Sequence, residues 1–282
     1  WVPKSAEKTT TRTLRTRNAL RKVEGGLNAT DGHPGTRFTL PLLKTITMDN
    51  EVFSADLWLE DTVGLCRSIA GLDAACDVLA AWDRTENLDS QGALLWRRFV
   101  ERLGSGGGRQ GAIDLYTTRF DPADPIRTPT GLDVRNPRVP AALRAAVADL
   151  VHSGIALRAT LRDHQYALKG SERFPIAGGP EVVGQYNRVN SHGWVPGGGY
   201  PGVDSGASFI MWMQFTDAGP VGESILTFSQ SPNPASAHYA DQTRLWSEMK
   251  TKPIRFTEDD ISSAAEVATF TVCSGSAGRA GC

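Results

Sequence analysis

The stretch Ser229-Gln230-Ser231-Pro232-Asn233-Pro234-Ala235-Ser236-Ala237-His238-Tyr239-Ala240-Asp241-Gln242-Thr243 decides how this chain is read. It joins a strand-like run, Ile225-Leu226-Thr227-Phe228, to a helix-like run, Arg244-Leu245-Trp246-Ser247-Glu248-Met249. His238, Tyr239 and Asp241, with Ser229, Ser231 and Ser236 close by, look like pieces of a catalytic set. No serine lies in a Gly-x-Ser-x-Gly elbow, so a conventional serine hydrolase lacks its signature. Asp241 stands at the start of the helix-like run, where it is a natural cap. A self-contained hydrolase built on Ser231, His238 and Asp241 is the rival reading.

Working outward, the first half carries helical periodicity. Thr11 to Glu24 sets Leu14, Ala19, Leu20 and Val23 among basic residues, and Gly25-Gly26 reads as its stop. Thr39 opens a helix with Pro41 in its first turn. Val52 to Cys66, Leu72 to Trp82, Gly92 to Leu103 and Pro140 to His152 each show an apolar stripe of helical width. After Gly154 the texture changes to short β-type runs: Tyr166 to Lys169, Phe174 to Ile176, Val182 to Val189, Ser208 to Phe215 and Ser224 to Phe228. A helix over Asp241 to Met249, one starting at Thr257 and a strand over Ala268 to Val272 complete the chain. Helices first and sheet second predict an α+β fold, divided into a mainly helical part over 1–155 and a β-rich part over 156–282. The run Phe209-Ile210-Met211-Trp212-Met213-Gln214-Phe215 is almost wholly apolar, the pattern of a strand covered on both faces.

At 282 residues the chain is long enough to bury a substantial core. Thirty basic and thirty-one acidic residues nearly cancel, which gives no reason to expect a nucleic-acid partner or an acidic surface. No apolar run reaches the roughly 18 residues of a membrane span. Trp1-Val2-Pro3-Lys4-Ser5 has neither an initiator Met nor a signal-peptide core, so a processed or longer precursor is expected. Cys66 and Cys76 bracket the link between two helices, and Cys273 and Cys282 bracket a glycine-rich tail. Pairing of Cys66 with Cys76 closes a short loop, worth roughly 3 kcal/mol in the chain-entropy model. Buried or free thiols are the alternative for all four. Two disulfides would fit an exported, oxidising compartment.

Four stretches, taken in order, resemble the β chain of the penicillin acylase family of N-terminal nucleophile hydrolases. They are Arg12-Thr13-Leu14-Arg15-Thr16-Arg17-Asn18-Ala19-Leu20; Cys76 to Arg84 with Asp89-Ser90-Gln91-Gly92-Ala93-Leu94-Leu95; Phe120-Asp121-Pro122-Ala123-Asp124-Pro125 through Leu132; and Phe174-Pro175-Ile176-Ala177-Gly178-Gly179-Pro180 to Phe256. The branch most similar deacylates acyl-homoserine lactones and lipopeptides such as aculeacin. The resemblance implies the C-terminal portion of a four-layer αββα sandwich, helical in its first half and antiparallel sheet in its second. It implies a secreted or periplasmic linear-amide hydrolase acting on a small N-acyl compound, whether a homoserine lactone, a lipopeptide or a penicillin-like amide.

The family's nucleophile is a serine freed at the start of the β chain, its own α-amino group serving as base. Trp1 does not supply it, so this chain alone is expected to be inactive and to hold no catalytic residue. Its partners are then the N-terminal part of the β chain and the α chain. No cofactor and no metal are implied. One supporting role transfers: the family arginine that orients the catalytic asparagine or holds substrate maps to Arg15 or Arg17, a planar and always-charged donor. Neither Asn18 nor Asn28 sits in the loop that carries that asparagine. The bland alternative for the arginines is a solvated basic helix face, because Arg12, Arg15, Arg17, Arg21 and Lys22 crowd together. The alternative for the whole chain is a non-catalytic envelope binding or scaffold protein that kept the acylase frame.

Other candidates read as structure. Asp83, Asp89 and Ser90 suggest a helix cap and an ion pair rather than paired catalytic carboxylates, with Trp82 as a core anchor. His33, His152, His164 and His192 are scattered without metal-ligand spacing. Gly193-Trp194-Val195-Pro196-Gly197-Gly198-Gly199-Tyr200 is a flexible aromatic loop that could border an acyl-chain pocket.

Overall fold

A computed structural model describes residues 11–28, 38–104 and 115–264. Five helices come first: α1 Leu14–Asn28, α2 Leu40–Met48, α3 Phe53–Arg67, α4 Asp73–Ala80 and α5 Ala93–Gly104. Strand β1 (Tyr116–Thr118) pairs antiparallel with β2 (Thr130–Leu132), and α6 (Arg138–His152) and α7 (Leu161–His164) follow. The remainder is strand-rich: β3 Gln165–Lys169, β4 Glu172–Pro175, β5 Val189–Asn190, β6 Tyr200–Pro201, β7 Ser205–Gly206, β8 Phe209–Thr216 and β9 Gly219–Leu226. It closes with α8 Asp241–Ser247, β10 Lys252–Ile254 and α9 Glu258–Ser262. The architecture is α+β, helices leading and sheets following.

The helices form where an apolar stripe can be buried. In α5, Leu94, Leu95, Trp96 and Phe99 are all fully buried, and they pack on Leu143, Ala146 and Leu150 of α6. Trp96 satisfies its indole by donating to Ser54 Oγ at 2.9 Å, so the ring is buried at little polar cost. Thr39 accepts from Leu42 N at 3.4 Å, the cap expected ahead of Pro41. Cys66, near the end of α3, is bonded to Cys76 in α4, and both are fully buried. Cys273, Cys282 and the Ala268–Val272 strand lie outside the described residues.

Two apolar clusters hold the chain. The larger joins α3 to α7 and takes in Val183 and Tyr200 from the strand-rich part. The smaller gathers Ala167, Phe174, Ile176, Val189, Val203, Trp212, Ile225 and Trp246, with Leu40, Leu43 and Met48 of α2 packed against it. Three strands in the order β10-β9-β8 make the longest sheet, with Met211 opposite Ser224 and Phe215 opposite Pro220. A second runs β4-β3-β6, with β6 parallel to β3.

Three local readings are corrected. Gly25-Gly26 does not stop α1, which continues to Asn28. A helical glycine costs only about 1 kcal/mol relative to alanine, and Gly26 is buried. Val182 to Val189 is no continuous strand: it holds a 3-10 turn over Glu181–Val183, then Gly184 at φ +87, and pairs only at its end, Arg188 in an isolated bridge to Gly179 and Val189 within β5. Its carbonyls are met by side chains instead, Gly184 O by Asn18 Nδ2 at 2.9 Å and Tyr186 O by Arg15 Nε at 3.0 Å. With those acceptors satisfied by α1, the segment needs no ladder. Finally, β8 is not covered on both faces: Phe209, Met211 and Phe215 are exposed and Trp212 is buried.

Candidate functional site

Helix α1 presents its cations to very different surroundings. Arg17 is fully buried, which overturns the reading of a uniformly solvated basic face. Its Nε donates to Ile126 O at 2.9 Å, and its guanidinium carbon stands 5.2 Å from the Phe53 ring centroid. Both Nη atoms are buried without a hydrogen-bond partner among the described residues. Burial lowers the Arg17 pKa from its ordinary value, opposed by the nearby Tyr116 and Asp124. Tyr116 is half-buried, and desolvation pushes its hydroxyl up to about 12. A desolvated guanidinium with unpaired Nη atoms is costly unless an acceptor reaches them.

Arg15 differs. Its Nε is already engaged by Tyr186 O, and it borders a shallow groove of about 230 Å3 with Thr16, Ala19, Leu20 and Val23. Arg21 bonds Glu51 at 2.7 Å and Asp56 at 2.8 Å, and Lys22 bonds Asp49 and, at 2.9 Å, Glu51. Burial alone would raise the Glu51 carboxyl, but Lys22 and Arg21 outweigh it and hold it below its ordinary range, which makes it a weak base.

These groups line a cleft of about 730 Å3 whose walls include Arg17, Arg21, Lys22, Glu24, Asp49, Glu51, Ile46, Phe53, Ile126, Arg127 and Thr130. Arg127 crosses it to Glu24 at 2.9 Å. Among the described residues, Thr130 carries the one hydroxyl on the wall, and no histidine or cysteine stands there. Such a cleft can bind and orient an oxygen-bearing group through Arg17. It offers no activated nucleophile of its own.

The other candidates fall into structural roles. His238 Nδ1 is 2.9 Å from Asp241 Oδ2, but the Ser231 hydroxyl accepts from Asn233 N at 3.1 Å, with no hydrogen bond to the His238 ring. The rival triad is therefore not assembled. The cap of α8 is also reassigned: Ser229 Oγ accepts from Gln242 N at 3.1 Å and Thr243 N at 2.9 Å, while Asp241 accepts from Gln242 N at 2.7 Å and pairs with His238. Ser90 donates to Asp83 rather than capping α5, and Asp89 forks to Arg162 at 2.7 and 2.6 Å. Trp82 anchors in the core as expected, its indole on Thr85 O. Trp194 packs on Tyr200 and under Arg98, away from the cleft. His33 lies outside the described residues. Among those described, no group of three or more His, Cys, Asp and Glu is placed to hold a metal ion.

Sequence reasoning missed the partners that make Arg17 unusual, Tyr116, Phe53 and Ile126, which come from three separate segments. It also missed a buried hub. Arg97 Nε bonds Glu86 Oε1 at 2.7 Å, Nη1 bonds Gln165 Oε1 and Nη2 bonds Gly178 O at 3.0 Å. The pair Gly178-Gly179 was the available signal: a Cβ on Gly179 would stand 1.6 Å from Glu86 Oε2.

The penicillin amidase family model matches residues 2–263. The chain belongs to the penicillin amidase family. Members similar to it include aculeacin-A acylase of Actinoplanes utahensis, 36% identical over 276 residues, which cover 93% of this chain and 33% of that protein. Acyl-homoserine lactone acylase PvdQ of Pseudomonas savastanoi pv. phaseolicola is 34% identical over 232 residues, covering 78% of this chain and 29% of the relative. The PvdQ of Pseudomonas putida is 34% identical over 260 residues, with 90% and 31% covered. The chain thus spans about a third of the length of the curated relatives it matches. Among solved structures, a thermostable penicillin G acylase from Alcaligenes faecalis aligns over 90% of this chain and 53% of that one, at 15% identity and a TM-score of 0.44, a likeness too slight to add to the assignment. No helix among the described residues is long and apolar enough to cross a membrane.

Proposed function

We propose that this penicillin amidase family chain is the C-terminal part of the β chain of an exported N-terminal nucleophile acylase. The whole enzyme hydrolyses the amide between an acyl group and a polar amine, such as a homoserine lactone or a lipopeptide head. The serine nucleophile, its amino-group base and the oxyanion asparagine come from polypeptide outside this chain, and the chain alone is inactive. Family membership and the span of about a third of each relative support this division.

The observation that carries the chain's own contribution is Arg17. Its side chain is fully buried at the wall of the cleft, and both Nη atoms await an acceptor. In the assembled acylase that acceptor is a carbonyl oxygen, either the substrate's or that of the asparagine side chain which stabilises the oxyanion. Each arginine spends its Nε on a backbone carbonyl, but Arg17 is fully buried at the cleft with both Nη atoms unpaired, whereas Arg15 is half-buried on the shallow groove, so Arg17 takes the supporting role. When the serine adds to the amide carbon, negative charge gathers on the carbonyl oxygen. A fixed guanidinium behind the donors holds them in place without reorganisation. The Cys66–Cys76 disulfide supports the exported compartment.

The test assays product release from N-acyl homoserine lactones and an aculeacin-type lipopeptide. The 282-residue chain should give none, and the longer precursor that contains it should turn over. In that precursor Arg17→Lys should lower kcat/KM by about 10²-fold, the scale of a lost transition-state donor, whereas Arg15→Lys should stay within about threefold. Product release by the isolated chain overturns the proposal. A precursor that binds N-acyl amides without cleaving them replaces it with the scaffold reading.

A further inference from the structure

The cations on the cleft wall are held in different ways. Arg21 is met by Glu51 at 2.7 Å and Asp56 at 2.8 Å, Lys22 by Asp49 and Glu51, and Arg127 by Glu24 at 2.9 Å and Asp124 at 3.2 Å. Arg17 is treated otherwise. Its Nε is spent on the Ile126 carbonyl, both Nη atoms lack a partner among the described residues, and Asp124 acts on it through space. What faces the guanidinium is the Phe53 ring, whose centroid lies 5.2 Å from the guanidinium carbon. A ring face attracts a cation through its quadrupole, and the attraction grows when both partners are out of water. Arg17 is fully buried and Phe53 is only 4% exposed.

The ring itself is fixed. Phe53 is the first residue of α3, and the preceding Val52 is buried, its N–H donating to Arg84 O at 2.9 Å. Gly184, at φ +87, lays its backbone against the base of the side chain: a Cβ there would stand 2.8 Å from Phe53 Cβ and 3.2 Å from Leu14 Cβ. Gly184 O in turn accepts from Asn18 Nδ2 at 2.9 Å, next to Arg17 on α1. One residue therefore braces both the ring and the helix that carries Arg17. Arg21, one turn further along α1, has its guanidinium carbon 5.2 Å from the same centroid. Two like charges beside one ring repel, but Arg21 is neutralised by Glu51 and Asp56, which leaves Arg17 as the one that depends on the ring.

We propose that Phe53 is a positioning residue for Arg17: its ring face fixes the guanidinium while leaving both Nη atoms free for the carbonyl oxygen they serve in the assembled acylase. This rests on the reading that Arg17 supports the reacting centre. A carboxylate in place of the ring would hold Arg17 more tightly, but it would consume the same N–H groups, since carboxylates bind a guanidinium along its edge. A ring binds over the face and takes none of them. An aliphatic side chain would also leave them free, yet it offers a charge no attraction. Donors fixed before the reaction raise its rate rather than the affinity for substrate, because they need not reorganise as charge develops.

The test places mono-, di- or trifluorophenylalanine at position 53 of the precursor, a series that withdraws charge from the ring face in steps and barely changes its size. With an N-acyl homoserine lactone as substrate, kcat should fall at each step, by about tenfold in all, with KM within about twofold. The trend should vanish in Arg17→Met and persist in Arg21→Met. A flat series overturns the proposal, and so does a trend that survives Arg17→Met. A second readout needs no substrate: the Tm of the precursor should fall along the same series, and the fall should shrink by about half or more in Arg17→Met. An equal fall with and without Arg17 overturns the positioning. The two readouts separate the two readings. A precursor that cleaves no amide but shows the Arg17-dependent fall in Tm sinks the proposed activity and keeps the contact; turnover that depends on Arg17 but not on fluorination does the reverse.

Discussion

Replacing Arg97 with methionine should be among the most damaging single changes in the described residues. Arg97 and Glu86 have side-chain exposures of 2% and 0%, so water helps neither charge. The guanidinium meets Glu86 Oε1, Gln165 Oε1 and Gly178 O, and stacks 4.6 Å from the Tyr200 ring centroid. Methionine keeps much of the stem's packing but leaves Glu86 with an uncompensated charge, whose Oε2 already lacks a donor among the described residues. Breaking one side of a buried pair costs about 3–5 kcal/mol, a large share of the roughly 5–15 kcal/mol that stabilises a domain.

The loss should depend on pH in a defined direction. Burial drives the Glu86 carboxyl above its ordinary range, against the pull of Arg97. Without Arg97 that rise must grow, so the folded variant binds a proton that the unfolded chain has released. Stability of the variant is then best preserved below the unfolded carboxylate pKa and falls as pH rises through the folded one. Urea unfolding followed by tryptophan fluorescence should show Arg97→Met losing less at pH 5 than at pH 8. Adding Glu86→Gln should restore at least half of the pH 8 loss, because the stranded charge is gone. A loss under about 1 kcal/mol at pH 8, or a double variant as unstable as the sum of the singles, would refute the account.

Four further outcomes rest on this and other parts of the structure. Gly179→Ala places a Cβ 1.6 Å from Glu86 Oε2 and 2.8 Å from Arg97 Nη2, and should cost at least about 2 kcal/mol by urea unfolding. Gly64→Ala, with nothing within 4 Å on the surface of α3, should instead stabilise by about 0.5–1 kcal/mol. Ser229→Ala removes the shared acceptor of Gln242 N and Thr243 N and should cost about 1 kcal/mol, with Asp241→Ala costing less by the same assay. Burial raises the Asp149 carboxyl, but Arg102 and Arg98 outweigh it and hold it below its ordinary range. Its stabilisation, about 1 kcal/mol after allowance for solvent, is complete above the ordinary carboxylate pKa and disappears as pH falls through the lowered folded value; the gap between wild type and Asp149→Asn should therefore close on acidification.

The parts of the fold legible in the sequence were those dictated by local periodicity. Trp96, Phe99 and Leu103 repeat at helical spacing, and α5 forms there because that stripe can be buried. Thr39-Leu40-Pro41 and Thr257 announced helix starts because a cap acts within three residues of itself. The failures were set by distant partners. Val182 and Val183 look like strand residues until Asn18 and Arg15, more than 160 positions away, take the carbonyls that a ladder would use. Asp241 looked like the cap of its own helix until Ser229 folded back over it.

Arg17 illustrates the same limit at the candidate site. Within Arg12 to Lys22 nothing distinguishes one arginine from another, since all fall on a helix rich in cations. The distinction appears only when Phe53, Tyr116 and Ile126 enclose the side chain at position 17.

Helix α2 connects this buried guanidinium to the exposed strand. Ile46, near its C-terminal end, lines the cleft, while Leu40 at its start is tied to Gln214 of β8. Nine helical residues span only about 13 Å, so the two places lie close together along one helix. One is a polar group whose Nη atoms lack an acceptor among the described residues and the other an exposed apolar strand face. Both are costs that an independently folding domain would have little reason to retain.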